Sequence, residues 1–166
     1  MSYVTIPLDP SHCNESFSCA KPQLDGYLHK QAKQDVKRRL AACFVLGDGK
    51  EIKGYYTLST ASVEKKLLPQ EIVKKLPPSY VDLPATLLGR LAVSAALQGQ
   101  RLGEMILVDA LKRSYFASML VGSMAVIVDP LDEAAVKFYR KYDFILLPDT
   151  GKMFLPMATI AELFRA

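Results

Sequence analysis

Residues 87–107 read LLGRLAVSAALQGQRLGEMIL, and this stretch decides the fold. Its first part, residues 87–93, is an apolar run rich in Leu and Val. Because both faces of a central strand are covered, such a run predicts a buried strand. Small residues follow, and from residue 104 onward apolar side chains recur at helical spacing. The stretch therefore predicts a strand, a glycine-containing loop and a helix in direct succession.

The loop at residues 98–103 has the composition of an anion-binding loop. The first turn of a helix presents unpaired N–H groups, and the helix dipole adds partial positive charge there. Gly99 lets the chain turn, Gly103 lets the backbone approach a bulky anion, and Arg101 adds a positive charge. These features favour a phosphate or pyrophosphate site. An ordinary strand–helix connection whose glycines serve only the turn is the alternative.

The loop also resembles motif A of the GNAT superfamily of N-acetyltransferases, Gln/Arg-x-x-Gly-x-Gly/Ala after a strand. Gln98, Leu102 and Gly103 fit this motif, whereas Arg101 replaces its central glycine. The replacement retains the amide N–H but requires a backbone conformation that a non-glycine residue can adopt.

Two further segments extend the resemblance in order over nearly the whole chain. Residues 89–93, Gly-Arg-Leu-Ala-Val, resemble the branch of small bacterial enzymes that includes toxins of toxin–antitoxin pairs. Residues 135–144 resemble the family segment Ala-x-x-Phe-Tyr-x-x-x-Gly-Phe, with Asp143 in place of the glycine.

The order of predicted elements indicates one α/β (α+β type) domain over residues 1–166, with a mixed sheet and helices on its faces. Residues 40–46 and 52–60 predict a hairpin, and residues 67–76 a short helix. Pro22 is expected in the first turn of the first helix. The GNAT resemblance implies a mostly antiparallel central sheet, helices on both faces, and a splayed parallel strand pair that forms the acyl-CoA cleft.

The resemblance implies acetyl-CoA as cosubstrate and no metal. A pantetheine arm can pair with backbone groups as a short strand would. Its expected partners, which also hold the thioester carbonyl, are Leu91, Ala92 and Val93. The remaining cofactor residues expected from the resemblance are Gln98, Gly99, Gln100, Arg101, Leu102, Gly103, Glu104 and Phe138.

The resemblance also implies that Tyr139 donates the proton to the departing thiolate. A tyrosine with a pKa near 10 is protonated at neutral pH and can act as an acid. Packing against cofactor or core is the alternative for Tyr139, and Tyr142 is the rival donor. The general base is left open among three carboxylates and a water chain; the carboxylates are Glu64, Asp82 and Asp129.

Composition bounds the class of protein. The chain has 166 residues, half of them apolar, and a net charge of +4, which suits one domain with a substantial core. The first ten residues lack a signal-peptide pattern, no segment is a membrane span, and the three cysteines form no C-x-x-C pair. We expect a cytoplasmic protein with reduced thiols, in which Cys19 and Cys43 are buried.

The acceptor amine is open among three readings. The first is a toxin that acetylates the α-amine of aminoacyl-tRNA and pairs with a ribbon-helix-helix antitoxin. The phosphate backbone of the tRNA would then contact Arg90, Lys37, Arg38 and Arg39. The alternative for the charged segment is a solvated helix face whose charges bind no ligand. The second is a housekeeping GNAT enzyme acting on a small amine or a protein lysine. The third is a non-catalytic acyl-CoA-binding module.

Apolar residues near the C-terminus also allow a homodimer. These residues are Ile160, Leu163 and Phe164. Packing that completes the core of a single chain is the alternative.

Overall fold

The structure, a computed structural model, describes residues 2–165. Its elements in chain order are β1 (Ile6–Pro7), α1 (Pro22–Lys30), α2 (Ala32–Lys37), β2 (Ala42–Asp48), β3 (Glu51–Glu64), α3 (Gln70–Val73), β4 (Asp82–Val93), α4 (Leu102–Ser118), β5 (Ala125–Val128), α5 (Glu133–Lys141), β6 (Ile145–Leu146), β7 (Met153–Pro156) and α6 (Met157–Phe164).

The strands form one sheet of order β1-β2-β3-β4-β5-β7-β6. The pairs β1–β2, β2–β3, β5–β7 and β6–β7 are antiparallel, whereas β4 and β5 are parallel. The predicted fold class, a mixed and mostly antiparallel sheet with one parallel pair, is confirmed.

The chain forms two compact units. The first contains residues up to Ser59 together with Leu88–Leu111, and the second contains Thr60–Leu87 together with the residues from Lys112 onward. Strands β3 and β4 and helix α4 each contribute residues to both units.

The core of the first unit is built around Tyr55 of β3, which is fully buried. Phe17 packs edge-on against its ring at 5.6 Å, and the ring of Tyr27 stacks on it at 6.4 Å. The Tyr55 hydroxyl donates to the carbonyl of Leu24, at 2.6 Å. Its polar end is therefore satisfied while the ring fixes α1 to the sheet.

Cys19 and Cys43 belong to this core, as predicted. Burial raises the pKa of Cys19 to about 11 and the pKa of Cys43 to about 12. Both thiols therefore stay protonated at neutral pH and pack as small apolar side chains.

The core of the second unit is a cluster of buried residues from β3, β4, β5 and β7 and from the segments that follow β3 and β6. Phe154 and Leu147 are fully buried there, and Ile72, Val73 and Leu76 pack against the cluster at its edge.

Residue 69 interrupts the helix predicted over residues 67–76: a 3-10 turn ends at Leu67 and α3 begins at Gln70. A proline disfavours helical backbone at the residue before it, and Leu68 is extended, with φ of −83° and ψ of 152°, so one continuous helix does not form.

The predicted hairpin is confirmed, and its turn explains the glycine at residue 47. Strands β2 and β3 pair from Ala42↔Leu58 to Asp48↔Glu51, with a register shift between Leu46 and Gly47. A Cβ at Gly47 would lie 2.2 Å from the carbonyl oxygen of Glu51, so only glycine fits.

Pro22 occupies the first turn of α1, as predicted.

Within residues 2–165, no helix has both the length and the apolar character needed to cross a bilayer. The same residues contain no cluster of three or more His, Cys, Asp or Glu side chains suited to a metal ion.

Candidate active site

Strand β4 extends well beyond its pairing with β5. The parallel register joins Thr86 to Val126 and Leu87 to Ile127, whereas β4 continues to Val93. The residues expected to hold the pantetheine arm, Leu91–Val93, lie in this extension, which belongs to the first unit. An extended stretch past the end of a parallel pairing can offer backbone groups to an extended ligand.

Gly54 of β3 lies against this extension, and the sequence analysis missed it. A Cβ at Gly54 would lie 3.0 Å from the carbonyl oxygen of Ala92 and 3.8 Å from Cα of Val93. A larger residue there would push on the strand that the acyl arm is expected to contact. Its signal in the sequence was a glycine inside a strand pattern, which often marks close backbone approach.

The loop before α4 has two residues in the left-handed region. Gly99 has φ of 86° and Arg101 has φ of 61°. The N–H of Met105 donates to the Arg101 carbonyl at 3.1 Å, so α4 starts immediately after Arg101. This conformation accounts for the glycine that the GNAT motif has at that place, since left-handed backbone favours glycine. Arg101 adopts it while its side chain stays exposed.

The Gln98 side chain braces the loop. Its amide nitrogen donates to the carbonyl of Cys19 at 3.1 Å and to the carbonyl of Val93 at 3.3 Å. The loop is thereby tied to the end of β4 and to the segment that precedes α1. The motif predicts glutamine at this position but does not indicate these partners.

Helix α4 is anchored by a buried carboxylate that the sequence analysis also missed. Asp109 is 5% exposed and accepts hydrogen bonds from the Val4 N–H and the Tyr56 hydroxyl, both at 2.8 Å, and from the Thr5 hydroxyl. The network fixes α4, and so its first turn, against β3 and the N-terminal segment. The signal in the sequence was a single acidic residue within the otherwise apolar run of residues 105–111.

Arg90 of β4 is half-buried and lies on an aromatic ring. Its Cζ is 3.6 Å from the centroid of Tyr27. The Tyr27 hydroxyl donates to the Asp35 carboxylate at 2.9 Å, and Asp35 is itself buried. The structure thus places Arg90 against α1, in the same unit as the predicted cofactor loop.

The other predicted substrate residues, Lys37, Arg38 and Arg39, are exposed at the end of α2. Lys33 differs from them, because its ammonium donates to the carbonyls of Pro10 and His12. Of this basic segment, Lys33 therefore has a structural role.

Tyr139 and Phe138 lie on α5, in the second unit. Tyr139 is 7% exposed, and its ring lies 5.3 Å from that of Phe138 and 5.2 Å from that of Phe144. Burial raises the pKa of Tyr139 above its ordinary value, so the hydroxyl is protonated at neutral pH. Within the described part of this unit, no residue hydrogen-bonds to that hydroxyl.

The end of α5 explains how Tyr139 is held. The Phe144 N–H donates to the Tyr139 carbonyl at 3.2 Å, and the Asp143 N–H donates to the Arg140 carbonyl at 3.1 Å. Asp143 has φ of 71°. These are the two bonds of a Schellman motif, with the Tyr139–Phe144 ring contact as its hydrophobic component. The glycine of the family segment therefore falls where the backbone is left-handed.

Asp143→Gly is expected to raise the free energy of unfolding by about 0.5–1 kcal/mol. Glycine removes the cost of a side chain in the left-handed region, and this gain outweighs its larger entropy in the unfolded chain. Urea unfolding monitored by circular dichroism measures the change. Lys137→Gly, at an exposed position inside α5, is the control and should destabilise by about 1 kcal/mol. A loss of stability in Asp143→Gly would contradict this reading of the motif.

The three carboxylates considered as general base lie in the second unit, and all are exposed. Glu64 pairs with Lys66 at 3.0 Å, and Asp129 pairs with Lys152 at 2.7 Å. Two of the three are therefore engaged in surface ion pairs.

A cavity of about 370 Å³ in the second unit has Glu64, one of the candidate general bases, in its lining, but not the predicted cofactor residues or Tyr139. Its lining includes Tyr80 and Val81, which precede β4.

The chain is similar in sequence and in structure to known proteins. No family model matches the chain. A tRNA-acetylating toxin of Mycobacterium tuberculosis (strain ATCC 25618 / H37Rv) is 35% identical over 133 residues, which cover 80% of this chain and 78% of the relative.

Several solved structures are similar to this chain over a larger share of its length. A crystal structure of a tyrosine-to-phenylalanine mutant of KacT has a TM-score of 0.87 at 32% identity and covers 93% of both chains. AtaT complexed with acetyl-methionyl-tRNAfMet has a TM-score of 0.89 at 27% identity and covers 99% of this chain and 100% of that one. AtaTR bound with AcCoA has a TM-score of 0.84 at 27% identity, with 97% of each chain covered. The chain belongs to the GNAT N-acetyltransferase toxins, a family of acetyl-CoA-dependent acyltransferases that includes the tRNA-acetylating toxin.

Proposed function

We propose that this protein transfers the acetyl group of acetyl-CoA to the α-amine of aminoacyl-tRNA, by direct attack within a ternary complex. The observation that carries the proposal is the 35% identity with a tRNA-acetylating toxin. The structural neighbour complexed with acetyl-methionyl-tRNAfMet supports the same acceptor.

The charges at the end of α2 support a polyanionic substrate. Lys37, Arg38 and Arg39 are exposed at the end of α2. The nearby carboxylate of Asp35 is buried and bonded to Tyr27, so it does not pair with them. Exposed cations of this kind bind phosphate backbone and fix its position without reading sequence.

The residues of the first unit fit acetyl-CoA. Left-handed backbone at Gly99 and Arg101 and the start of α4 give the loop N–H groups and a dipole suited to a pyrophosphate. The extension of β4, residues 91–93, offers backbone groups to the pantetheine arm and the thioester carbonyl. Acetyl-CoA supplies the activated acetyl thioester. Gln98 holds the loop and the strand end in one arrangement, which favours reaction through proximity and orientation.

Tyr139 holds a proton at its Oη for the sulfur that departs. Burial disfavours a free tyrosinate. The Tyr139 hydroxyl is therefore expected to donate its proton to the departing sulfur. Tyr139 then accepts the proton that the attacking amine loses. Phe138, half-buried beside it, is proposed to pack against the cofactor.

The proposal includes a ribbon-helix-helix antitoxin as partner and the cytoplasm as location, where both substrates are made. A neighbour at 29% identity was solved as the KacTA–DNA complex. The three described cysteines are free, as is usual in a reducing compartment.

A homodimer also stays a proposal. Of the three apolar residues near the C-terminus, Ile160 is buried and Phe164 stacks on Tyr115 at 6.0 Å. Leu163 is 60% exposed and is the residue of the three that an interface would cover.

The test is incubation with radiolabelled acetyl-CoA and three acceptors in parallel: charged tRNA, a lysine-containing peptide and a polyamine. Label is expected in charged tRNA, and mild alkali should release it as N-acetyl amino acid because the aminoacyl ester is labile. Uncharged tRNA is the control and should stay unlabelled. Label in the peptide or the polyamine instead would establish a housekeeping transferase. Acetyl-CoA binding with no transfer to any acceptor would establish a non-catalytic module.

A further inference from the structure

Gly54 is a buried glycine inside the long strand β3. Glycine loses more backbone entropy on folding than any other residue and adds no side chain to the sheet, so it weakens a strand interior. Its φ is not in the left-handed region, so no turn explains it. A glycine at such a place indicates that another part of the chain comes unusually close.

The part that comes close is the end of β4. A Cβ at Gly54 would lie 3.0 Å from the carbonyl oxygen of Ala92, 3.6 Å from Cδ1 of Ile106 and 3.8 Å from Cα of Val93. The last two are ordinary van der Waals distances, whereas the first requires that the carbonyl move by a few tenths of an ångström. Because a backbone carbonyl moves only with its strand, a side chain at residue 54 would displace the end of β4.

Strand β3 is held too firmly to move in place of β4. Gly54 pairs with Leu46 of β2 on its other side. The two residues that follow it, Tyr55 and Tyr56, are fully buried. Since protein interiors are close-packed and transmit strain, the displacement would fall on β4.

The end of β4 turns part of its backbone toward β3. The Ser94 N–H donates to the Lys53 carbonyl at 2.8 Å. The Ala92 carbonyl lies against Gly54. The backbone groups of these two β4-side residues, 92 and 94, therefore point toward β3.

Leu91 and Val93 turn their backbone the other way, because the backbone groups of successive residues point to opposite edges of a strand. Consistent with this, the Val93 carbonyl accepts the side-chain amide of Gln98 at 3.3 Å. The pairing of β4 with β5 joins residues 86 and 87, and residues 91 and 93 lie beyond it. Their edge is suited to an extended ligand that carries amides.

We propose that Gly54 is a positioning residue for acetyl-CoA: the space left by its missing side chain keeps Ala92 against β3 and so presents Leu91 and Val93 to the pantetheine arm and the thioester. The inference rests on the proposed function and deepens it. Gly54 itself does not touch the cofactor in this account. It acts through β4, and it acts on the arm rather than on the diphosphate.

The diphosphate loop is held by contacts of its own. The Ala95 N–H donates to the Ser18 carbonyl at 2.8 Å, and the Gln98 amide donates to the Cys19 carbonyl at 3.1 Å. A displacement of a few tenths of an ångström at Ala92 should therefore change the groups that meet the arm more than the N–H groups that meet the diphosphate.

The test compares two ligands in calorimetric titrations. One is acetyl-CoA, and the other is adenosine 3′-phosphate 5′-diphosphate, which is CoA without its pantetheine arm. Gly54→Ala is expected to raise the Kd for acetyl-CoA about 3- to 10-fold, the change expected when one hydrogen bond to the arm is lost. The Kd for the diphosphate fragment should stay unchanged. Gly54→Val, with a larger side chain, should raise the Kd for acetyl-CoA further.

Gly26→Ala is the matched control. It makes the same substitution in the same unit, in α1, where an added Cβ meets no heavy atom within 4 Å. It should leave both Kd values unchanged. Thermal unfolding checks that each variant is folded, and Gly54→Ala decides the question by itself if Gly54→Val does not fold.

Two results would overturn the proposal. Equal increases in both Kd values in folded Gly54→Ala would show that the substitution disturbs the first unit as a whole. Unchanged Kd values would show that β4 does not need the space. The proposed function fails separately: if the wild type binds acetyl-CoA but labels no charged tRNA, the acceptor is wrong, while the two Kd values still decide the role of Gly54.

Discussion

Tyr139→Phe is expected to lower kcat for acetyl transfer by about 10²- to 10⁴-fold, the range lost when a positioned acid is removed. The substitution deletes only the hydroxyl. The ring contacts with Phe138 and Phe144 and the backbone bonds at the end of α5 involve no atom that is lost. The Kd for acetyl-CoA and the midpoint of thermal unfolding should therefore change little. Stopped-time assays with labelled acetyl-CoA and charged tRNA give kcat, and calorimetry gives the Kd.

Tyr142→Phe is the matched control. Tyr142 follows Tyr139 by less than one helical turn, and its ring also contacts Phe138, at 5.2 Å. It should keep kcat within a few-fold of the wild type. A large loss in Tyr142→Phe with none in Tyr139→Phe would reassign the proton donor to Tyr142.

The pH dependence gives an independent check of the same residue. Because burial raises the pKa of Tyr139, its hydroxyl stays protonated through pH 9. The wild-type kcat should therefore show no alkaline decline from loss of this proton in that range. A decline with an apparent pKa below 9 that disappears in Tyr139→Phe would contradict the assignment.

Asp109→Ala is expected to lower the free energy of unfolding by about 3 kcal/mol or more. The carboxylate accepts hydrogen bonds from the Val4 N–H and from the Thr5 and Tyr56 hydroxyls in a buried setting. Removing one acceptor leaves several buried donors unsatisfied, and each costs about 1 kcal/mol or more. Equilibrium urea unfolding measures this loss. Because the network anchors α4, the Kd for acetyl-CoA should also rise at temperatures where the variant is folded.

Asp129→Ala provides the contrast. Asp129 forms an exposed ion pair with Lys152 at 2.7 Å, and such pairs contribute less than about 1 kcal/mol. Similar losses in Asp109→Ala and Asp129→Ala would show that the buried network does not stabilise the fold as described.

The residues that were predictable had local signals. Pro22 marked the start of α1, and the glycines between residues 46 and 50 marked the hairpin. The strand, loop and helix of residues 87–118 followed from a change of hydrophobic period within one stretch. Pro69 was also a readable signal, because a proline disfavours helical backbone at the preceding residue, and its neglect produced the wrong prediction of one helix over residues 67–76.

The two departures from the GNAT glycines show where sequence reasoning stopped. At Arg101 and Asp143 the sequence differs from the family, and the difference alone does not reveal whether the backbone also differs. Both residues have positive φ, 61° and 71°, so the backbone is the one that glycine would adopt. The side chain changed at each place while the turn was kept.

By itself the sequence determined the order of elements and predicted a cofactor loop and a proton-donating tyrosine, since periodicity, turn residues and motifs act between neighbours in the chain. Only the tertiary structure decided what these residues touch. Gln98 meets the carbonyl of Cys19, Arg90 lies on Tyr27, and Asp109 receives its donors from residues far away in sequence. The physical reason is that a hydrogen bond or a ring contact forms between whichever groups packing brings within a few ångströms, and packing depends on the whole fold rather than on any one stretch.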